Sequence, residues 1–371
     1  MPALSRTDNS VVGRWWWTVD KWTLLALFLL AVAGMMMTMA ASPPVAYRLG
    51  LDPQYFVVRH AMLLPFALIV MIAISTMSLK TVRRLALAMF VVSLGLMVLT
   101  VTSGEAVKGA SRWTYILGFS IQPSEFLKPA FAVMTAWLLA PRPANREIPG
   151  AAICTLIFTV IVGLLLAQPD VGQAGVVTAV WLSQWFLAGL SIAWIGGSAV
   201  MGGLSLMAAY FVFPHVALRI DRFMDPNASS YQIERAMQAF LAGGYTGEGP
   251  GEGIIKASIP DAHSDFVLAV AGEEYGLIMT LAIVGIFAFI VLRGFARLFK
   301  EHNAFVTLAG FGLLVQFGLQ AAINMGSTLN LIPTKGMTLP FMSYGGSSLL
   351  AMSIGMGMLL ALTRRRVGEE E

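Results

Sequence analysis

Trp22-Thr-Leu-Leu-Ala-Leu-Phe-Leu-Leu-Ala-Val-Ala-Gly-Met-Met-Met-Thr-Met-Ala-Ala41 contains no charged residue. A helix of that length spans the ~30 Å hydrocarbon core of a bilayer. The run follows Trp15-Trp16-Trp17 and opens on Trp22, aromatic residues of the kind that collect at a membrane interface. It is long enough to span and lacks an evident cleavage site, so it reads as an anchor and not as a removable signal.

The pattern repeats along the chain. Further apolar runs lie near 56–76, 85–101, 125–140, 151–168, 171–188, 191–213, 265–292, 304–325 and 344–362, which makes ten expected spans. Composition agrees. Of 371 residues, 57% are hydrophobic and 12% charged, against about 25% charged in soluble domains, and the mean hydropathy is +0.75. These values exclude a soluble domain, a disordered chain and a disulfide scaffold. The single Cys154 excludes a cysteine-based metal site, and His60, His215, His263 and His302 form no close pair. The net charge of +4 does not point to nucleic acid, because the basic residues sit at the ends of spans. The expected fold is an all-α polytopic membrane protein. It has one membrane domain over 22–362, an N-terminal segment 1–21, a long loop 214–264 and a tail 363–371.

The positive-inside rule sets the expected orientation. With ten spans both termini share a side, and a cytoplasmic assignment gives that side fourteen of the 24 basic residues. Arg364-Arg365-Arg366, directly after the last span, is the clearest signal. Four of the other ten lie in the long loop, which translocates largely regardless of charge.

Five polar clusters then fall on the outer side. In 105–129, Pro123 suits a first helical turn, and Glu125 and Lys128, three residues apart, share a face and can pair. Arg112 and Lys128 also offer two cations to a phosphate-bearing ligand. Gln168-Pro169-Asp170 reads either as a turn with Asp170 at a helix start or as a functional acid, costly near a membrane unless paired. Within the long loop, Ile233, Met237, Phe240 and Leu241 share a face, the pattern of an amphipathic helix lying on the membrane. Six glycines in the eleven residues 243–253 follow, a pliable segment that reads as a ligand wrap or a linker. In Pro260-Asp261-Ala262-His263-Ser264-Asp265-Phe266, Asp265 reads as a general base at a cavity mouth or, with Ser264, as a helix cap. On a continuous helix Glu273 faces the same way, ~12 Å further along. Finally, prolines and glycines break the helical pattern over 333–348, where Lys335 supplies another cation. Together these residues suit a lipid diphosphate at the membrane surface.

The motifs Gly109-Ala110-Ser111-Arg112-Trp113, Gln122-Pro123-Ser124-Glu125-Phe126-Leu127-Lys128, 260–266 and Leu339-Pro340-Phe341-Met342-Ser343-Tyr344-Gly345-Gly346-Ser347-Ser348 resemble those of the SEDS family (shape, elongation, division and sporulation). The resemblance runs from about residue 20 to 366, and the segments 247–253 and 260–276 look more like the division branch than the elongation branch. Gly-Glu-Gly-Pro-Gly-Glu-Gly at 247–253 departs from the aromatic-containing version of many members.

The resemblance implies a peptidoglycan glycosyltransferase that polymerises lipid II at the outer face of the bacterial cytoplasmic membrane during division and releases undecaprenyl diphosphate. Asp265 carries over as the catalytic acid–base residue, and Arg112, Lys128 and Lys335 as the diphosphate-binding cations. Glu125, His263, Ser264, Glu273 and Asp170 are expected in support. A divalent cation, Mg or Mn, is the one cofactor left room for, with Asp265 its candidate ligand; no organic cofactor is expected. The implied partners are a class B penicillin-binding transpeptidase of the FtsI type and other divisome membrane proteins, at the division septum. Two other readings stand beside this one. A lipid II flippase would use Glu273, Glu274 and Asp170 as a carrier's acids, and a non-catalytic scaffold would not need Asp265.

Overall fold

The computed structural model describes residues 10–103, 112–116, 119–141, 149–189, 191–225, 231–333 and 336–365. Motif residues 109–111, the cations Lys108 and Lys335, and the end of the tail lie outside the described residues.

Each of the ten expected spans is a helix: α2 (Lys21–Arg48), α3 (Tyr55–Ser75), α4 (Leu79–Ser103), α5 (Pro123–Leu139), α6 (Gly150–Ala167), α7 (Val171–Leu187), α8 (Ile192–Val212), α11 (Val267–Leu298), α12 (Ala304–Thr328) and α13 (Gly346–Leu362). By length and composition α2, α3, α4, α6, α11 and α12 are each able to cross a membrane. At 17 residues α5, α7 and α13 reach about 25 Å, the short end of the spanning range. The protein is a multi-pass membrane protein.

Three helices lie off the spans: α1 (Val11–Thr18), α9 (Pro214–Met224) and α10 (Tyr231–Gly243). Among the described residues the only strands are β1 (Thr114–Ile116) and β2 (Phe119–Ile121), antiparallel with Tyr115 opposite Ser120. The sequence reading had no hairpin there. Its strands are too short for their alternation to stand out against the surrounding apolar residues.

The bundle is wound around α5, whose residues 127–136 are all buried, with α13 packed along α3 and α5. Gly34 of α2 lies so close to Phe341 and Met342 that an added Cβ would stand 2.5 Å from the Phe341 carbonyl oxygen. This close contact seats the 336–345 segment inside the bundle.

The antiparallel course gives two rims. One carries the hairpin, the α6–α7 turn, and the segments 244–266 and 336–345. The other carries α1, the α3–α4 turn and the ends of α11 and α13. There Asp20, the N-cap of α2, receives hydrogen bonds from Thr23 and Arg293 and pairs with Arg297 at 2.7 Å. Burial alone would raise the Asp20 carboxyl, but the two guanidiniums and Thr23 outweigh it and hold it at about 2.

Candidate functional site

The site begins at the first turn of α5. Pro123 opens the helix, Glu125 lies in its first turn, and Lys128 pairs with Glu125 at 3.0 Å, as their spacing predicts. Both are buried, Lys128 at 2% exposure and Glu125 at 4%. A buried pair is retained only when further hydrogen bonds offset its desolvation. They are present: Lys128 Nζ also donates to Gln320 Oε1 at 2.8 Å, and Gln173 Nε2 donates to Glu125 Oε1 at 2.5 Å. The cation expected to be offered to a ligand at Lys128 is therefore an inward one, held by Glu125 and by Gln320 of α12.

Arg112, ahead of β1, reaches across to the α6–α7 turn. Its guanidinium donates to the carbonyls of Gln168 and Pro169 and stands 3.7 Å from Asp170. Asp170 also caps α7 through the amide of Gln173. The structural reading of Asp170 at a helix start holds, and Arg112 supplies the charge partner that its burial requires. Burial pushes its carboxyl upward, and Arg112 opposes that shift.

α12 links this region to Asp265. Gln316, Gln320, Asn324 and Thr328 recur every fourth residue, forming a polar stripe on an otherwise apolar helix. Gln320 donates to Thr338 O at 3.2 Å and to Ser348 Oγ at 3.3 Å. One turn on, Asn324 donates to the carbonyls of Asp265 at 2.8 Å and Met337 at 2.6 Å. A continuous set of polar contacts thus runs from Arg112 through Asp170, Gln173, Glu125, Lys128 and α12 to the backbone of Asp265.

Asp265 is half-buried in the turns that precede α11, with its amide bonded to Asp261 O at 3.0 Å. It is not on the helix. The N-cap is Phe266, without a side-chain cap bond, and Ser264 donates instead to Asp261 O, so neither cap reading holds. The shared helical face with Glu273 fails for the same reason. The 260–266 and 336–345 segments are joined by Tyr344 N to His263 O at 2.9 Å and by Ser343 Oγ to Ser264 O. Gly336 lies beside the acid: a Cβ there would sit 3.4 Å from Asp265 Oδ2. Its chain neighbour Lys335 is outside the described residues.

His263 is packed, not presented. Its ring stacks on Phe56 at 4.3 Å and tilts against Tyr344 at 5.5 Å. Burial pushes its pKa below the ordinary imidazole value, Asp261 opposes that shift by a smaller amount, and Arg48 adds to it.

The acids of α11 serve the glycine segment. Glu273 accepts the amides of Ile255 and Lys256 at 2.6 Å each, and Glu274 pairs with Lys256 Nζ and accepts the Gly251 amide at 2.6 Å. Gly276, at φ 74°, breaks α11 so that the loop can pack onto it. Gly253 approaches Glu273 so closely that a Cβ would stand 2.9 Å from its Cδ. A loose linker is thereby excluded. The amphipathic face of α10 is also divided: Ile233, Ala236, Ala239 and Gly243 are buried as the helix packs on α11, while Met237 and Leu241 are exposed. The whole face does not lie on the membrane, because small residues let half of it pack on the protein.

The sequence reading missed Gln173, Gln320, Asn324 and Thr338, and quoted Ser348 only as part of a motif, without a role. The signal was present in α12, where amides four residues apart interrupt an apolar run. Among the described residues no three His, Cys, Asp or Glu side chains are grouped to hold a metal ion. Chemically, the arrangement offers the half-buried Asp265 carboxylate on a backbone held by α12, with the buried Lys128 behind it.

The chain is similar to known proteins over nearly its whole length. A family model described as "Cell cycle protein", covering FtsW, RodA and SpoVE, matches residues 21–367. A Caulobacter vibrioides protein named "Probable peptidoglycan glycosyltransferase FtsW" is 43% identical over 99% of this chain and 94% of its own length. A Trichlorobacter lovleyi protein of the same name is 36% identical over 91% of this chain and 92% of its own. Among solved structures, a chain from "Structural coordination of polymerization and crosslinking by a peptidoglycan synthase complex" superposes with a TM-score of 0.74 at 26% identity, covering 93% of this chain and 97% of that one. The Thermus thermophilus rod shape determining protein RodA superposes with a TM-score of 0.67 at 25% identity, covering 94% and 97%.

Proposed function

The chain belongs to the FtsW/RodA/SpoVE family of cell cycle proteins, and from that membership we propose how it works. It is a peptidoglycan glycosyltransferase of the FtsW type, the SEDS division branch. Its substrate is lipid II, a disaccharide-pentapeptide carried on undecaprenyl diphosphate. The observation that carries the site assignment is Asp265: a half-buried carboxylate whose backbone is held by α12 and whose neighbouring segments are bonded to one another.

In the proposed reaction the 4-hydroxyl of the acceptor GlcNAc attacks the anomeric carbon of the donor MurNAc. The new glycosidic C–O bond forms as the bond from that carbon to the diphosphate oxygen breaks. Asp265 takes the hydroxyl proton, and undecaprenyl diphosphate leaves with the bonding electrons. Arg112 and Lys335 are assigned to the diphosphate from the family resemblance, while buried Lys128, held by Glu125 and Gln320, adds positive potential from behind. If a Mg or Mn ion takes part, Asp265 is the residue that would hold it, and the ion would supply charge neutralisation for the diphosphate.

The rim that carries Asp265 is assigned to the outside and the basic rim, with both termini, to the cytoplasm. The outer loop is 214–264, and the membrane domain is 22–362. The protein acts at the septum with a class B penicillin-binding transpeptidase and other divisome proteins; the resemblance to a chain of a peptidoglycan synthase complex supports the transpeptidase. Polymerisation of labelled lipid II by the purified protein with its transpeptidase tests the reading. Glycan strands support it, whereas lipid II translocation in vesicles without strands would indicate a flippase.

A further inference from the structure

The three consecutive tryptophans at the basic rim have different surroundings. Trp15 turns inward: it is 8% exposed, and its indole N–H donates to Ser75 Oγ at 2.8 Å. With Val19 it fixes α1 to the bundle. Trp16 and Trp17 turn outward and are exposed, and the Lys21 ammonium stands 4.6 Å from one ring and 4.7 Å from the other. The C-terminal segment reaches the same corner, where the Arg365 amide donates to Thr18 O at 3.1 Å and Arg364 to Thr76 O at 3.2 Å.

Charge at this corner is unbalanced. Asp20 is taken by Arg293 and Arg297. Among the described residues no carboxylate lies within ion-pair distance of Arg14, Lys21 or Arg365, all three of which are exposed. An ammonium set over two indoles keeps its charge and at least one N–H donor for an anion, and exposed indoles favour the headgroup region of a bilayer.

We propose that α1 with Lys21 and the 363–365 segment forms a binding site for an anionic phospholipid. The phosphate sits at Lys21 with Arg14 and Arg365, and the glycerol and upper acyl chains lie against Trp16 and Trp17. The occupant is a lipid of the surrounding bilayer, because exposed cations stand beside two exposed indoles at the end of the first membrane span, the combination that suits an anionic headgroup above acyl chains. This site is at the rim opposite Asp265 and does not depend on the proposed polymerase activity.

The test uses the full-length protein in nanodiscs of equimolar phosphatidylglycerol and phosphatidylcholine, with bromine on the acyl chains of one or the other. Brominated phosphatidylglycerol should quench tryptophan fluorescence more than its zwitterionic counterpart. The excess should disappear in a Trp16→Phe/Trp17→Phe variant. Lys21→Gln should lower the anionic preference about fivefold, the weight of one juxtamembrane cation, and Lys21→Arg should keep it. A thermal melt identifies any variant that has lost its fold, and Lys21→Arg against wild type still decides the matter if Lys21→Gln melts early. Equal quenching by both lipids in wild type, or a preference unchanged in Lys21→Gln, would overturn the proposal.

Discussion

The side-chain amide of Asn324 holds the backbone carbonyl of Asp265 at 2.8 Å. A residue from the interior of an apolar helix thus sets the position of the acid proposed to do the chemistry. Asn324→Ala removes the donor and leaves the Asp265 and Met337 carbonyls short of a partner. Misplacing a reacting group by about 1 Å costs on the order of 100-fold in rate. Asn324→Ala is expected to lower kcat by roughly 10–100-fold with a smaller change in KM. Initial rates over a lipid II series check this, and a change confined to KM would contradict it.

Lys128 and Glu125 are buried together. Removing one member strands the other, at a cost of about 3–5 kcal/mol. Lys128→Met should therefore lower thermal stability more than Lys128→Met/Glu125→Gln, while both variants lose polymerisation. Equal melting temperatures for single and double variants would show that the pair is not coupled.

The Glu273, Glu274 and Lys256 contacts hold the glycine segment against α11. Glu273→Ala leaves the Ile255 and Lys256 amides without their acceptor. Hydrogen exchange at 251–258 should rise by at least about tenfold, since losing a charged acceptor costs about 1.5–3 kcal/mol. Exchange in α5 should stay as it was. Protection unchanged at 251–258 would mean that packing alone holds the loop.

The ten spans were legible because apolar length is a one-dimensional property of the chain. Placement of the polar groups was less so. The pairing of Glu125 with Lys128 followed from their spacing, but whether the pair faced a cavity or the interior depended on Gln173 and Gln320, which come from distant helices. Asp265 and Glu273 appeared to share a face only on a continuous helix. In the structure the helix begins at Val267 and breaks at Gly276, whose positive φ a side chain would resist. The role of Glu274 required its partner Lys256, eighteen residues upstream in a loop that reads as pliable.

His263 is buried between Phe56 and Tyr344, and its folded pKa lies below its unfolded value of about 6.5. Protons then bind the unfolded chain more readily, so this residue's contribution to stability is complete above about pH 6.5 and declines as pH falls below it. His263→Phe should flatten that acid-side slope in a melting-temperature profile between pH 7 and 5. It should leave the pH dependence of polymerisation near neutrality unchanged. An unaltered stability slope would contradict the assignment.

The most direct measurement compares wild type with Asp265→Asn in the polymerisation of labelled lipid II, each purified with its transpeptidase and matched in melting temperature. The account predicts glycan strands from wild type and a loss of at least about 100-fold in Asp265→Asn, the weight of a positioned general base. Strands made by folded Asp265→Asn at the wild-type rate would contradict it.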